Sequence, residues 1–288
     1  MRDLKVILSI DGGGIRGILS LIVLDHINKL LIENGIGSSI NKKASLLAGT
    51  STGAVISAAL MLEKDNSPLY LPNDILELYK SRGSQIFDKK REDNKYPLQL
   101  ILENNFGHLK LGDLVKNFVF VSHDQNSNKP FIFNNRKAEF KGVRLSKILL
   151  ACSAVPEYFP PVELGCYKLS DGIETAKNSS LLAYKNAKQV LPENCYLLIS
   201  IGTGELPKSM FDSVEEAALK VEKDLEKIEK EANDLIYFRF QPKINKANYK
   251  MDDTSAENIA NLIEDGNAYI KENSKKFEEL IKQWKKFR

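Results

Sequence analysis

The fold is indicated by the stretch LKVILSIDGGGIRG, which occupies residues 4–17. The first seven residues form a short, mostly apolar run, which predicts a buried strand, and the three glycines that follow Asp11 predict a tight turn. Residues 15–33 carry apolar side chains at helical spacing and stop at Asn34-Gly35, which predicts a helix. A strand, a glycine turn and a helix in this order are typical of an α/β protein.

The same order occurs a second time along the chain. Residues 45–48 predict another buried strand, and the alanine-rich residues 53–62 predict a helix after a second glycine turn. Two such units in succession predict parallel strands joined by right-handed crossovers. Further expected elements are strands at 118–121, 131–133, 167–170, 196–201 and 235–240 and helices at 73–82 and 145–150. We expect one α/β domain over residues 1–288, with a mainly helical C-terminal layer from about residue 214.

Composition limits the classes of protein that need to be considered. The chain is 43% hydrophobic and 27% charged, which is typical of a soluble globular protein, and its net charge of +3 is too small to indicate nucleic-acid binding. No apolar run approaches the roughly 20 residues of a transmembrane helix, and the apolar stretch near the N-terminus is too short for a signal peptide. Three loosely spaced cysteines indicate free thiols. We therefore expect a cytoplasmic, enzyme-sized protein, and the sequence carries no signal for an oligomeric state.

Two charged stretches are expected at the surface of the protein. The charge-rich residues 89–95 predict a surface loop. Residues 282–288 place two aromatic side chains among four cations, which suits a membrane surface. The same composition also suits a solvated helix end on which Trp284 packs against the domain, and we favour this second interpretation.

The best chemical signal is the second glycine turn, Gly49-Thr50-Ser51-Thr52-Gly53, which matches G-x-S-x-G. Between a strand and a helix, such a turn holds its serine in a strained, exposed position, and the helix N-terminus offers N–H groups to a developing oxyanion. Ser51 is therefore a candidate nucleophile. The alternative is an ordinary glycine-rich turn in which Ser51 caps the helix.

A serine nucleophile needs a base, and the order of residues excludes the usual histidine. In an α/β-hydrolase the histidine follows the serine and the acid, but no histidine follows His123 in this chain. His108 and His123 lie in predicted polar loops, and His26 lies in a predicted helix. Either Ser51 is inert or a carboxylate deprotonates it. Asp171, which ends a short predicted strand and precedes Gly172, is the candidate, and an Asp-Gly turn is the alternative.

The first glycine turn can bind an anion. The N–H groups of Gly12, Gly13 and Gly14 can converge, and Arg16 adds a positive charge. The segment also matches the dinucleotide pattern G-x-G-x-x-G, but the next strand does not end in the acidic residue that binds the ribose. A Walker-type phosphate loop fails because no Lys-Ser/Thr follows the glycines. An oxyanion hole beside a serine nucleophile accounts for both glycine turns.

Together these segments resemble the patatin-like phospholipases. Residues 11–17 are similar to the glycine-rich oxyanion segment of that family, and residues 49–53 to its nucleophile elbow, with Gly49 and Gly53 flanking the serine. Asp171-Gly172 is similar to the Asp-Gly of its Ser–Asp dyad. Residues 153–161, 200–204 and 251–253 also resemble family segments. The resemblance implies a three-layer α/β/α sandwich with a mainly parallel central sheet.

The resemblance also implies a function. It implies a lipid acyl hydrolase of the phospholipase A or lysophospholipase type, in which Asp171 accepts the proton of Ser51 and no metal or cofactor takes part. The oxyanion hole would come from Gly12, Gly13 and Gly14, helped by Arg16. The substrate would be a phospholipid or lysophospholipid, reached by peripheral contact with a membrane. Two alternatives stay open: an acyltransferase with the same acyl-serine intermediate, and a nucleotide-binding module that uses residues 12–17 without catalysis.

Overall fold

The central sheet and its helices are described by a computed structural model that covers residues 3–88 and 94–287. Most of the predicted charge-rich loop, residues 89–93, therefore lies outside the described residues. The strands are β1 (Leu4–Ile10), β2 (Ala44–Thr50), β3 (Glu63–Lys64), β4 (Ser67–Pro68), β5 (Asn117–Asp124), β6 (Lys129–Asn134), β7 (Val162–Leu164), β8 (Tyr167–Asp171), β9 (Cys195–Ile201) and β10 (Leu235–Phe240). The helices are α1 (Gly17–Glu33), α2 (Ile40–Lys43), α3 (Thr52–Met61), α4 (Pro72–Ile86), α5 (Pro97–Phe106), α6 (Leu145–Ser153), α7 (Ile173–Ala176), α8 (Ser180–Val190), α9 (Ser213–Glu231), α10 (Ala256–Glu272) and α11 (Ser274–Lys285).

The central sheet is mainly parallel, as the sequence predicts. Its strands follow the order β10-β9-β1-β2-β5-β8-β7, and β6 pairs with β5. The five strands β10, β9, β1, β2 and β5 run parallel, whereas β6, β7 and β8 join by antiparallel pairing. The short strands β3 and β4 form a separate hairpin.

Helices cover both faces of the sheet, which confirms the three-layer α/β/α arrangement. Alternate residues of β1 enter two separate apolar cores: Leu8 packs among the side chains of α1 and α3, and Ile7 packs beside α8 and α9. This alternation follows from the strand's two-residue period, and it makes β1 apolar on both faces. On one face α1 packs against α4 and α10, and on the other α9 packs against β10.

The structure departs from the expected elements at two places in the middle of the chain. Helix α5, which is not among the expected helices, begins at Pro97 and buries Leu98, Leu102 and Phe106 on one side. His123, expected in a polar loop, lies in β5, is buried and faces Glu174 across 3.5 Å. In both cases packing against other parts of the chain extends regular structure into residues that have polar neighbours in the sequence.

The C-terminal helix α11 packs on the domain through its aromatic residue. Trp284 is only 5% exposed and belongs to the same apolar core as α1, as the favoured interpretation of this segment predicts. Phe287, just beyond the helix, is exposed. Within residues 3–88 and 94–287, no helix is long and apolar enough to cross a membrane.

Candidate active site

Ser51 occupies a strained turn between β2 and α3. Its backbone has φ 55° and ψ −125°, a conformation that costs a non-glycine residue about 1–3 kcal/mol. Its hydroxyl forms no capping hydrogen bond to α3, so the helix-cap alternative for Ser51 loses its support. The flanking residues must be small: a Cβ at Gly53 would lie 2.1 Å from the Ile10 carbonyl oxygen, and one at Gly49 would lie 2.1 Å from the Gly53 carbonyl carbon.

Ser51 and Asp171 come together because β2 and β8 share one edge of β5. Strand β6 spans the opposite edge of β5 and pairs with both halves of it, so β2 and β8 must meet end to end on the remaining edge. Thr50, the last residue of β2, pairs with Val121, while Asp171, the last residue of β8, pairs with Ser122. The serine that follows Thr50 therefore reaches the level of Asp171.

Asp171 ends a predicted strand, as expected, but this strand is an antiparallel member of a mainly parallel sheet. Strand β8 runs antiparallel to β5, and its carboxyl end meets that of β2 only because the two strands point toward each other. Gly172 then carries the chain off the sheet, where a Cβ would lie 2.5 Å from the Val121 carbonyl oxygen.

The Asp171 carboxyl is completely buried beside Ser51. The carboxyl Oδ1 accepts a hydrogen bond of 2.8 Å from the N–H of Ile173, and the backbone N–H of Asp171 donates to the Ala154 carbonyl at 2.9 Å. Burial raises the pKa of Asp171 to about 7, although the hydrogen bonds from Ser51 and Ile173 act to lower it. Oδ2 has no hydrogen bond of regular geometry among the described residues, and catalytic contacts of this kind often tighten only when substrate binds.

The glycine loop after β1 has two N–H groups available. The N–H of Gly12 donates to the Lys177 carbonyl at 3.1 Å, whereas those of Gly13 and Gly14 donate to no hydrogen bond within the described part of the chain. Gly14 has φ 59°, and a Cβ there would lie 2.3 Å from the Met251 carbonyl oxygen. Met251 thus lies over the loop, and the Gly12 amide is already bonded. Both features disfavour a nucleotide phosphate on this loop.

Hydrogen bonds from two threonine hydroxyls connect the two glycine turns to neighbouring segments. A Cβ at Gly12 would lie 3.3 Å from the Cβ of Ser51, so the first turn lies directly against the nucleophile candidate. The Thr203 hydroxyl donates to the Gly12 carbonyl at 2.7 Å, and the Thr50 hydroxyl donates to the Ala176 carbonyl at 2.6 Å. Thr203 lies in the Gly-Thr-Gly segment after β9, a segment that the sequence could mark only by its resemblance.

A buried ionic cluster lies beside the glycine loop. Arg16, the basic residue of that loop, is 3% exposed, and its Nη1 has no hydrogen-bond partner in the described regions. Lys177 forms a buried salt bridge with Glu215 of α9. Burial lowers the pKa of both Arg16 and Lys177, and Glu215 opposes the shift in each. One glutamate therefore compensates two buried cations.

A second ionic cluster lies under the first residue of the loop. Both carboxylate oxygens of Asp11 accept hydrogen bonds from Arg239 of β10, at 3.0 and 2.6 Å. The Arg239 Nε also donates to Glu222 of α9 at 2.8 Å. Although burial acts to lower it, these two carboxylates raise the pKa of Arg239 above its ordinary value. Helix α9 thus contributes a carboxylate to each cluster.

An apolar cavity opens beside Ser51. It lies between α3, α4 and α5, and its walls include Val55, Ile75, Leu98, Leu102 and Phe159. At the end nearest Ser51, Tyr79 hydrogen-bonds to Thr52, and burial raises the pKa of that phenol to about 12. The cavity offers an alkyl chain an apolar environment that starts at the serine. Among the described residues, no cluster of three or more His, Cys, Asp or Glu side chains could hold a metal ion.

The fold and the site define a three-layer α/β protein with a strained serine, a buried carboxylate and a glycine loop at one end of the sheet. The Patatin-like phospholipase family model matches residues 8–174, and the chain belongs to this family.

Individual relatives agree with this assignment. Patatin-07 of Solanum tuberosum is 28% identical over 251 residues, a match that covers 75% of this chain and 64% of the relative. Patatin-like protein 4 of Arabidopsis thaliana is 29% identical over 255 residues and covers 75% and 63%. The chain thus spans slightly less than two thirds of the length of these relatives. Another relative, from Solanum tuberosum, is named Probable inactive patatin-3-Kuras 1 and is 26% identical over 238 residues, which cover 71% of this chain and 63% of the relative.

A solved structure is also similar. The crystal structure of VipD from Legionella pneumophila aligns over 97% of this chain and 67% of its own, with 12% identity and a TM-score of 0.43.

Proposed function

We propose that this chain is a lipid acyl hydrolase of the phospholipase A or lysophospholipase type, which cleaves fatty acyl esters through an acyl-Ser51 intermediate. The observation that carries the proposal is the contact between a strained serine and a buried carboxyl group, Asp171, at the end of an apolar cavity. Membership of the patatin-like phospholipase family supports the choice of acyl lipids as substrates.

In the first step of the proposed mechanism, Ser51 Oγ attacks the ester carbonyl carbon while its proton moves to Asp171. A carboxylate is a weak base at its ordinary pKa, but a pKa of about 7 is well matched to proton transfer near neutral pH. The carbonyl oxygen becomes an oxyanion and accepts hydrogen bonds from the N–H groups of Gly13 and Gly14. A donor of this kind is worth roughly 3 kcal/mol of transition-state stabilisation.

The tetrahedral intermediate then collapses. The bond between the carbonyl carbon and the alcohol oxygen breaks, and the alcohol leaves with the proton held by Asp171. In the second step water attacks the acyl-serine, Asp171 accepts the proton of that water, and the same N–H groups stabilise the second oxyanion. Fatty acid leaves as Ser51 regains its proton, so the enzyme returns to its starting state. Arg16, beside the loop, adds positive charge near the oxyanion.

A lipid substrate requires contact with a membrane surface, and we include peripheral membrane contact in the proposal. The C-terminal segment contributes little to it, because Trp284 is packed against the domain. The acyl-serine intermediate could also pass its acyl group to an alcohol instead of water, which would make the protein an acyltransferase. The products of the reaction distinguish these two outcomes.

The experiment measures fatty acid release from vesicles that contain phospholipid and lysophospholipid, with a chelator present. The wild-type protein is compared with Ser51→Ala and Asp171→Asn, each shown to be folded by its melting temperature. We expect release by the wild type and a loss of at least 100-fold in both variants, since each removes a group that takes part in the proton transfer. Equal release by all three proteins would refute the proposed residues. Acyl transfer to lysophospholipid without fatty acid release would instead identify an acyltransferase.

A further inference from the structure

The apolar cavity follows one face of helix α3, starting at the candidate nucleophile. Ser51 lies at its beginning, Val55 one turn further and Ala59 two turns further, because residues four apart share a helix face. Eight residues at the helical rise span about 12 Å. The cavity therefore extends about 12 Å along α3, with Ser51 at one end.

The opposite wall is helix α4, which runs in the other direction. Near its carboxyl end, Phe87 lies against Gly14 of the glycine loop, and Tyr79, two turns earlier, hydrogen-bonds to Thr52. Ile75 lies nearer the beginning of α4 and lines the part of the cavity far from the serine. An alkyl chain attached to Ser51 would therefore extend toward the beginning of α4.

The far end of the cavity is polar. Asn41 donates hydrogen bonds to the carbonyls of both Leu60 and Tyr70, which places Tyr70 beside the last turn of α3. The Tyr70 hydroxyl is 3.4 Å from Oδ1 of Asn105, and both side chains line the cavity. Apolar lining thus gives way to a tyrosine hydroxyl and an amide.

We propose that the small side chain of Ala59 lets this site accept long acyl chains, up to the Tyr70–Asn105 pair. The inference rests on the proposed function and adds a substrate class to it: esters whose acyl chain is long enough to pass Ala59. The methyl side chain of Ala59 lines the cavity two turns from Ser51, so a larger side chain there would project into the path of the acyl chain. The Tyr70–Asn105 pair ends the apolar path, because a methylene placed against these polar groups gains no apolar burial.

Chain length should therefore affect binding steeply up to this polar end and weakly beyond it. Each methylene buried in an apolar site strengthens binding about fourfold at room temperature. A lauroyl chain extends beyond Ala59, whereas a butyryl chain ends well before it. We expect the wild type to favour p-nitrophenyl laurate over p-nitrophenyl butyrate by about 100-fold or more in kcat/KM.

The test compares this laurate-to-butyrate ratio in Ala59→Leu and in a matched control. Ala59→Leu should lower the ratio at least tenfold, because three added carbon atoms enter the channel. The same substitution at Ala217, which is exposed on α9, should leave both the ratio and the rates unchanged. Tyr70→Phe, which removes the polar hydroxyl, should raise the palmitate-to-laurate ratio. Melting temperature and labelling of Ser51 by a phosphonate show whether each variant is folded.

A binding measurement separates failure of the inference from failure of the proposed function. Calorimetry on the Ser51→Ala protein should detect dodecanoate binding that Ala59→Leu weakens at least tenfold. If Ala59→Leu weakens dodecanoate binding in this way but the wild type hydrolyses no ester, the proposed function is wrong and the chain-length assignment stands. If a folded Ala59→Leu protein changes neither the laurate-to-butyrate ratio nor dodecanoate binding, the chain-length assignment is wrong. Ala59→Val takes its place in this test if leucine prevents folding.

Discussion

The substitution Asp171→Asn should stabilise the protein while it abolishes activity. The carboxyl of Asp171 is fully buried, and burial raises its pKa from an ordinary value of 3.8 to about 7. Asparagine has nearly the same shape and keeps an oxygen that can accept the hydrogen bond from the Ile173 N–H. It carries no charge at any pH, so it removes the cost of holding a carboxylate in this site.

The magnitude follows from the difference between the two pKa values. The folded protein binds a proton at Asp171 more tightly than the unfolded chain does, so this residue makes the free energy of unfolding fall as pH rises from 3.8 to about 7. At 1.36 kcal/mol for each unit, the total is about 4 kcal/mol, and it is constant above pH 8. Below pH 3.8 Asp171 is protonated in both states, and the contribution disappears.

The assay is urea unfolding of the wild type and Asp171→Asn between pH 4 and pH 9. The variant should be about 4 kcal/mol more stable than the wild type at pH 8, and the difference should shrink steadily toward pH 4. Asp224→Asn, which changes an exposed carboxylate on α9, should alter stability by less than about 0.5 kcal/mol throughout. A difference in stability that does not grow between pH 4 and pH 8 would refute the assignment of a raised pKa to this group.

Further expectations concern activity, strain and buried charge. The kcat/KM of the wild type should rise with pH around a midpoint of about 7, since in the proposed mechanism the Asp171 carboxylate accepts the serine proton; a flat profile from pH 5 to 9 would contradict this. Thermal unfolding should show Ser51→Gly to be about 1 kcal/mol more stable than Ser51→Ala, because glycine tolerates φ 55°. At pH 7 Glu215→Gln should lose about 3–5 kcal/mol of stability in denaturant titrations, since two buried cations lose their counter-charge, while exposed Glu216→Gln should lose little. Leu225→Ala should cost about 2–5 kcal/mol by the same measurement, and a smaller loss would mean that α9 is not packed on its core.

The sequence could predict the parts of the site that depend on local chemistry. Two strand–glycine–helix units are visible in consecutive residues, because glycines mark turns and apolar runs mark buried strands. The turn around Ser51 was predictable for the same reason. The end of a predicted strand made Asp171 a candidate, and the resemblance to the patatin-like phospholipases favoured it over an ordinary Asp-Gly turn, which is common.

The remaining parts depend on contacts between distant segments. Strand β8 pairs with β5 in the antiparallel direction, and no local pattern in the sequence predicts this pairing. Glu215 is one of several glutamates on α9, and only the packed helix shows that it faces Lys177. Helix α5 is a different case, because Pro97 in its first turn and apolar residues four apart are local signals that predict a helix. These signals were missed because the surrounding residues are polar.

The separation of the site's parts along the chain affects when the protein could first act during its synthesis. Ser51 leaves the ribosome early, but Asp171 and its strand follow 120 residues later, and the loop that carries Gly12 also needs Lys177, Thr203 and the carboxylate of Glu215. Because domains fold largely as units during translation, a nascent chain should remain inert toward lipid until α9 has emerged and docked. Stalled chains of increasing length, probed with a serine-reactive phosphonate, should become labelled only beyond that point. Under the proposed function, late assembly would keep the unfinished chain from cleaving acyl lipids.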